Sequence, residues 1–107
     1  MTDFQARIYE AVRKIPKGKV TSYAGAAELA GFVPGYRYAR AVGGALHVNP
    51  DPSKTPCHRV IRQDGFLPSG YAFGGMAVHK ELLEAEGVKV SDDFKVSMTV
   101  YQLRKFF

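Results

Sequence analysis

The sequence predicts a mainly α-helical chain with small β elements, organised as a winged-helix-like helix-turn-helix in a single domain over residues 1–107. Three observations predict it. Phe4, Ile8, Ala11, Val12 and Ile15 recur at three- and four-residue spacing, one apolar stripe of an amphipathic helix. Two further short helical stretches follow, joined by a Gly/Pro-rich turn. Strand signals are confined to a short apolar run at Val60-Ile61 and to an alternating stretch near the C-terminus.

The elements then follow in order. Thr2 or Asp3 caps the first helix, and Pro16-Lys17-Gly18-Lys19 turns the chain after it. Thr21 or Ser22 caps a second helix through Ala30, stopped by Gly31. Its alanines allow another element close approach. Residues 32–35 form a loop, and a third helix is expected over residues 36–46 with Ala39, Val42, Ala45 and Leu46 as its packing face. Arg37 and Arg40, three residues apart, then share one face of that helix. An ordinary helical hairpin has much the same pattern as a helix-turn-helix. Asn49-Pro50-Asp51-Pro52-Ser53 reads as a rigid linker. Val60-Ile61-Arg62 reads as a buried strand, Gln63-Asp64-Gly65 as a turn, and residues 66–75 as a loop rich in glycine and aromatics. A last helix is expected over residues 76–85. Residues 88–100 read as a β-hairpin turning at Ser91-Asp92-Asp93, because Phe94, Val96, Met98 and Val100 alternate with polar neighbours.

Composition narrows the function. The chain is 46% hydrophobic, as a globular protein is, and its net charge of +5 favours a polyanionic partner. One cysteine excludes an internal disulfide and fits a reduced, cytoplasmic setting. No apolar run approaches membrane-spanning length, and a signal-peptide core is missing at the N-terminus, so no membrane partner is expected. His47, His58, His79 and the single cysteine lack zinc-site spacing, so neither a metal nor another cofactor is expected.

The chemistry centres on Pro56-Cys57-His58-Arg59-Val60. A cysteine is a strong nucleophile as the thiolate, so it needs a base or a positive neighbour. His58 offers the base and Arg59 positive potential. Neighbouring side chains on an extended strand point to opposite faces, so Cys57 and His58 cooperate only through a bent backbone or a bridging water. A buried structural cysteine is the alternative.

Arg40-Ala41-Val42-Gly43-Gly44-Ala45-Leu46, Asn49-Pro50, the Pro56–Val60 core, Gly74-Gly75 and Leu82-Leu83-Glu84-Ala85-Glu86-Gly87 together resemble the C-terminal domain of O6-alkylguanine-DNA alkyltransferases. They resemble also that family's cysteine-free relatives, the alkyltransferase-like proteins. The likeness runs from about Phe4 to Gly87. It implies a monomeric DNA-repair protein bound to double-stranded DNA through the minor groove, with an alkylated guanine flipped out of the stack, in the cytoplasm or, in a eukaryote, the nucleus. Arg40 then takes the place of the flipped nucleotide, Arg37 lies on the DNA-facing edge, and Tyr23 helps rotate the target phosphate. Asn49 is the hinge between the helix-turn-helix and the Cys57 strand. Glu86 orients His58, which takes the thiol proton through water. Tyr71, Ala72 and Gly74 belong to the loop that closes over the base.

The resemblance has departures. The residue-32–37 connection is longer than the family's, Ala72 stands where many transferases carry serine, and Phe73 is inserted before the glycine pair. The N-terminal domain of full transferases is expected to be absent, while the cysteine is present where alkyltransferase-like proteins typically carry tryptophan. Two functions therefore stand. One is irreversible transfer of the alkyl group to Cys57, once per molecule. The other is a non-enzymatic sensor that holds the lesion and recruits nucleotide excision repair. A Cys57-His58 hydrolase is a weaker third reading, because such enzymes usually draw the two groups from distant segments.

Overall fold

In the computed structural model, which describes residues 1–103, helix α1 (Asp3–Arg13) opens the chain. Thr2 begins it with a capping box: its hydroxyl accepts from the Gln5 amide, and the Gln5 side chain accepts from the Thr2 amide. The stripe read from the sequence is buried at Ile8, Ala11, Val12 and Ile15. Strand β1 (Thr21–Ser22) leads straight into α2 (Tyr23–Leu29), whose cap is the Ser22 hydroxyl accepting from the Gly25 amide.

The third helix starts later than expected. Residues Gly35–Arg37 form a 3-10 turn, and α3 runs Ala39–His47. Packing explains the break. Gly35 is buried against α2 so closely that a Cβ there would lie 2.2 Å from the Ala24 carbonyl oxygen. The turn is held by this contact and the regular helix begins beyond it. Arg37 therefore lies on the turn and Arg40 on the helix, so they do not share one helical face.

A 3-10 turn at Cys57–Arg59 precedes β2 (Val60–Ile61), which pairs in parallel with β1, Thr21 opposite Val60 and Ser22 opposite Ile61. Successive residues of a strand face opposite ways. Val60 accordingly joins a core with Ile8, Val12, Val42 and Leu46, while Ile61 joins a second one with Val20, Leu67, Leu83 and Val88. Cys57, on the turn before β2, belongs to the first of these cores.

Helix α4 (Gly75–Ala85) follows the glycine-aromatic loop, and α5 (Met98–Tyr101) closes the described chain. The expected hairpin over residues 88–100 is not formed as such. Its turn is present, with the Ser91 amide donating to the Lys95 carbonyl and an isolated antiparallel bridge between Val90 and Val96. The main partner of residues 94–96 is instead the segment after β2: Leu67 N–H donates to Phe94 O, and Val96 N–H to Gly65 O. With the pairing taken by that distant segment, the remaining alternation does not extend a strand. Met98 and Tyr101 pack on the second core from a helix.

Candidate active site

Cys57 is reached from both sides by hydrogen bonds that shape its turn. Asn49, buried just after α3, donates from Nδ2 to the Thr55 carbonyl at 2.9 Å and accepts from the Asp51 amide at 3.2 Å. The Cys57 amide donates to the same Thr55 carbonyl at 2.7 Å. Arg13 of α1 donates to the Thr55 hydroxyl at 2.9 Å. Asn49 thus ties the end of the helix-turn-helix to the backbone that presents the cysteine, as a hinge would. The 3-10 turn supplies the bend that adjacent Cys57 and His58 need.

Cys57 faces a cavity of about 90 Å³. Tyr23, Gly43 and Leu46 of α2 and α3 form one wall. Tyr71, Ala72 and Phe73 of the loop form another, with His79 of α4 behind them. The Tyr71 hydroxyl lies 4.0 Å from Cys57 Sγ. Burial, then the neighbouring Cys57 charge, raises the Tyr23 and Tyr71 hydroxyls above their ordinary pKa, so both keep their protons at neutral pH. Gly74 stands outside the wall as the residue before α4, its φ of 130 the left-handed kind that favours glycine.

His58 and Glu86 come together. Nε2 of His58 lies 3.0 Å from Glu86 Oε2, an ion-pair distance whose alignment falls short of a good hydrogen bond. Burial lowers the His58 pKa, with Arg59 adding to the effect and Glu86 opposing it. His58 is therefore neutral at pH 7 and able to accept a proton. Burial alone would raise Glu86, but the hydrogen-bonded Arg59 guanidinium and the close His58 ring hold it below the usual carboxylate value.

Arg59 does not play the part its position suggested. Its guanidinium grips Glu86 with two bonds, Nε to Oε1 at 2.9 Å and Nη2 to Oε2 at 2.7 Å, and gives a third, at 2.6 Å, to the Ile15 carbonyl. Its charge is neutralised there rather than directed at the thiol. On a 3-10 turn, side chains rotate by about a third of a turn per residue, so Arg59 leaves the site that Cys57 enters.

The side chains of Arg37 and Arg40 are exposed and make no hydrogen bond or ion pair among the described residues. Both are free to meet an anionic partner. His79 was not foreseen as part of the site, since one histidine within a helix carries no sequence signal. Among the described residues no group of three or more His, Cys, Asp or Glu is placed to hold a metal ion.

Comparison with known proteins bears on this arrangement. Residues 3–88 match the family model described as the DNA-binding domain of 6-O-methylguanine DNA methyltransferase. A methylated-DNA–protein-cysteine methyltransferase of Methanothermobacter thermautotrophicus is 44% identical over 89 residues, covering 83% of this chain and 47% of that protein. A DNA base-flipping protein of Vibrio parahaemolyticus is 39% identical over 102 residues, covering 95% of this chain and 97% of that protein. The crystal structure of Atl1 from Schizosaccharomyces pombe, in complex with damaged DNA containing O6-carboxymethylguanine, superposes with a TM-score of 0.83 at 32% identity over 98% of each chain. The chain thus spans about half of the methyltransferase and nearly all of the other two.

Proposed function

The chain belongs to the 6-O-methylguanine DNA methyltransferase DNA-binding domain family, and from that premise we propose that it flips O6-alkylguanine from duplex DNA and transfers the alkyl group to Cys57. The observation that carries the reading is a pocket-lining cysteine followed directly by a histidine that is paired with a carboxylate. Cys57 lines a pocket bounded by α2 and α3, His58 follows it on a bent turn, and Glu86 lies 3.0 Å from His58. A nucleophile, a histidine next to it in the chain and a carboxylate paired with that histidine are the parts such a transfer uses.

The steps follow from these residues. Arg37 and Arg40 meet the DNA, and Arg40 fills the gap left by the flipped base. Unstacking a base costs a few kcal/mol, which an inserted side chain partly offsets. Neutral His58 takes the Cys57 proton through a bridging water, and Glu86 stabilises the imidazolium that results. The thiolate attacks the alkyl carbon. A sulfur–carbon bond forms, the carbon–O6 bond breaks, and its electron pair stays with the base. Tyr23, which holds its proton, donates it to the departing guanine, and the thiol proton held on His58 restores the tyrosine through solvent. The thioether has no route back to thiol, so each molecule acts once.

A sensor that holds the lesion without reacting is the second reading. Ala72 in the pocket wall favours it, since alanine offers no hydroxyl to the guanine oxygen. So does the likeness to the base-flipping protein, 39% identical over 102 residues. Incubation with duplex DNA carrying O6-methylguanine, followed by intact mass and peptide mapping, separates the two. The transferase reading expects the mass of one methylene on the Cys57 peptide. Tight lesion binding with an unmodified Cys57 refutes transfer and leaves the sensor.

A further inference from the structure

His79 is a buried group at the site that the reaction above does not use. It sits on α4 with 0% exposure. Its Nε2 lies 2.7 Å from the His58 carbonyl oxygen. A carbonyl only accepts, so Nε2 carries the proton and Nδ1 keeps a bare lone pair. That Nδ1 is buried and has no hydrogen-bond partner among the described residues, which costs stability. Burial pushes the His79 pKa down to about 4, so the ring stays neutral and its tautomer is fixed. Leucine would occupy the same helical position without the orphan nitrogen.

What the imidazole supplies is a fixed plane. The bond to His58 O sets the ring's orientation, and the ring stacks on Tyr71 with centroids 4.4 Å apart and planes inclined by 28°. Tyr71 in turn places its hydroxyl 4.0 Å from Cys57 Sγ, with Phe73 edge-on to it at 5.7 Å. The contacts form a series: the His58 carbonyl orients His79, His79 orients Tyr71, and Tyr71 bounds the space in front of the thiol.

We propose that His79 is a positioning residue that sets the size of alkyl group admitted beside Cys57, by holding Tyr71 over the thiol. The inference rests on reading this pocket as the receptor for alkylated guanine. The resting cavity of about 90 Å³ is smaller than the roughly 150 Å³ apolar cavity that accommodates benzene. A methyl group fits in front of the thiol more readily than an aryl group does.

The test uses the full chain in a Cys57→Ser background, so that binding is read without transfer. Dissociation constants are measured for duplexes carrying guanine, O6-methylguanine or O6-benzylguanine. His79→Gln keeps a donor near the Nε2 position and removes the ring; His79→Phe keeps the ring and removes the donor. Thermal unfolding establishes that each variant is folded, and Tyr71→Ala reads the same step should the glutamine variant not fold. The expected result is a rise in the benzyl-to-methyl affinity ratio of roughly tenfold in His79→Gln, the low end for a change in pocket size. The rise in His79→Phe is smaller, and affinity for the unmodified duplex is unchanged in both. An unchanged ratio in the folded glutamine variant, or in Tyr71→Ala if that is the variant read, overturns the inference. So does a larger effect in His79→Phe than in His79→Gln. Failure of the parent to distinguish either lesion from guanine identifies the pocket assignment itself as the fault, and the inference falls with it.

Discussion

Glu86→Gln removes a charge at nearly constant volume from the densest polar contact in the molecule. Glu86 accepts two bonds from Arg59, at 2.9 and 2.7 Å, and both side chains are little exposed, at 11% for Arg59 and 12% for Glu86. A glutamine amide presents one oxygen and one donor. It keeps one of these bonds and turns an N–H toward the guanidinium in place of the other. A hydrogen bond to a charged group contributes about 1.5–3 kcal/mol. The small residual exposure argues for the lower part of that range, so the substitution should cost about 2 kcal/mol. For a domain of this size that is a fall in Tm of roughly 10 °C at pH 7. The assay is thermal unfolding followed by circular dichroism across pH. The folded carboxyl is held below its ordinary pKa, so its contribution is present above the unfolded value of about 4.3 and is lost as pH falls through the folded value. The gap between parent and variant should therefore close below about pH 4. A Tm change under about 3 °C at pH 7, or a gap that persists in acid, refutes the pairing as a source of stability.

Three further outcomes are expected. Arg40→Ala should weaken binding to lesion-containing duplex by roughly tenfold, about 1.4 kcal/mol, and leave single-strand binding less affected. Arg37→Ala, measured in the same salt titration, should weaken all duplexes alike and lower the salt slope by about one; equal losses from Arg40→Ala on duplex and single strand would remove the inserted-arginine role. Acid should destabilise the protein through His79, whose pKa falls from 6.5 to about 4 on folding. Between those values the unfolded chain binds a proton that the native protein does not, so stability drops as pH falls, by up to about 3 kcal/mol. His58, also lowered by burial, acts in the same direction. A urea midpoint that stays flat from neutral pH to the His79 value, or falls equally in His79→Gln, would contradict this.

Local signals were readable from the sequence and distant pairings were not. The Thr2 and Ser22 caps, the stop at Gly31, the strand at Val60-Ile61 and the end of α4 at Ala85 depend on residues within one turn of each other. The delayed start of α3 depends on Gly35 meeting Ala24 across a tight contact, which no periodicity records. The alternation from Phe94 to Val100 was real at Phe94 and Val96, but residues 65–67 share its pairing with the neighbouring segment, which keeps one bridge at Val90. At the site, Asn49 and Glu86 are named by the family resemblance alone; the structure puts Asn49 on the Thr55 carbonyl and Glu86 beside His58. Arg59 was misread because nearness in sequence to Cys57 was taken for nearness of its charge. Its reach to Ile15 and Glu86 spans 44 and 27 residues of chain. His79 was missed for the same reason, since its meaning lies in its contacts with Tyr71 and His58.

The depth of Cys57 matters for how long an idle copy stays usable. Its side chain, 4% exposed beneath Tyr71, is poorly placed for peroxide, for soluble electrophiles or for the thiol of another copy. In an ordinary enzyme such losses are diluted over many turnovers. On the transferase proposal the cysteine reacts once, so no such averaging exists and every stray modification removes a molecule for good. The resting cavity of about 90 Å³ is smaller than the roughly 150 Å³ one that accommodates benzene, and a purine is larger than benzene, so its entry requires the loop to yield. Shelter and admission are then the same movement: the cover lifts only when the partner that lifts it is the one the cysteine is kept for.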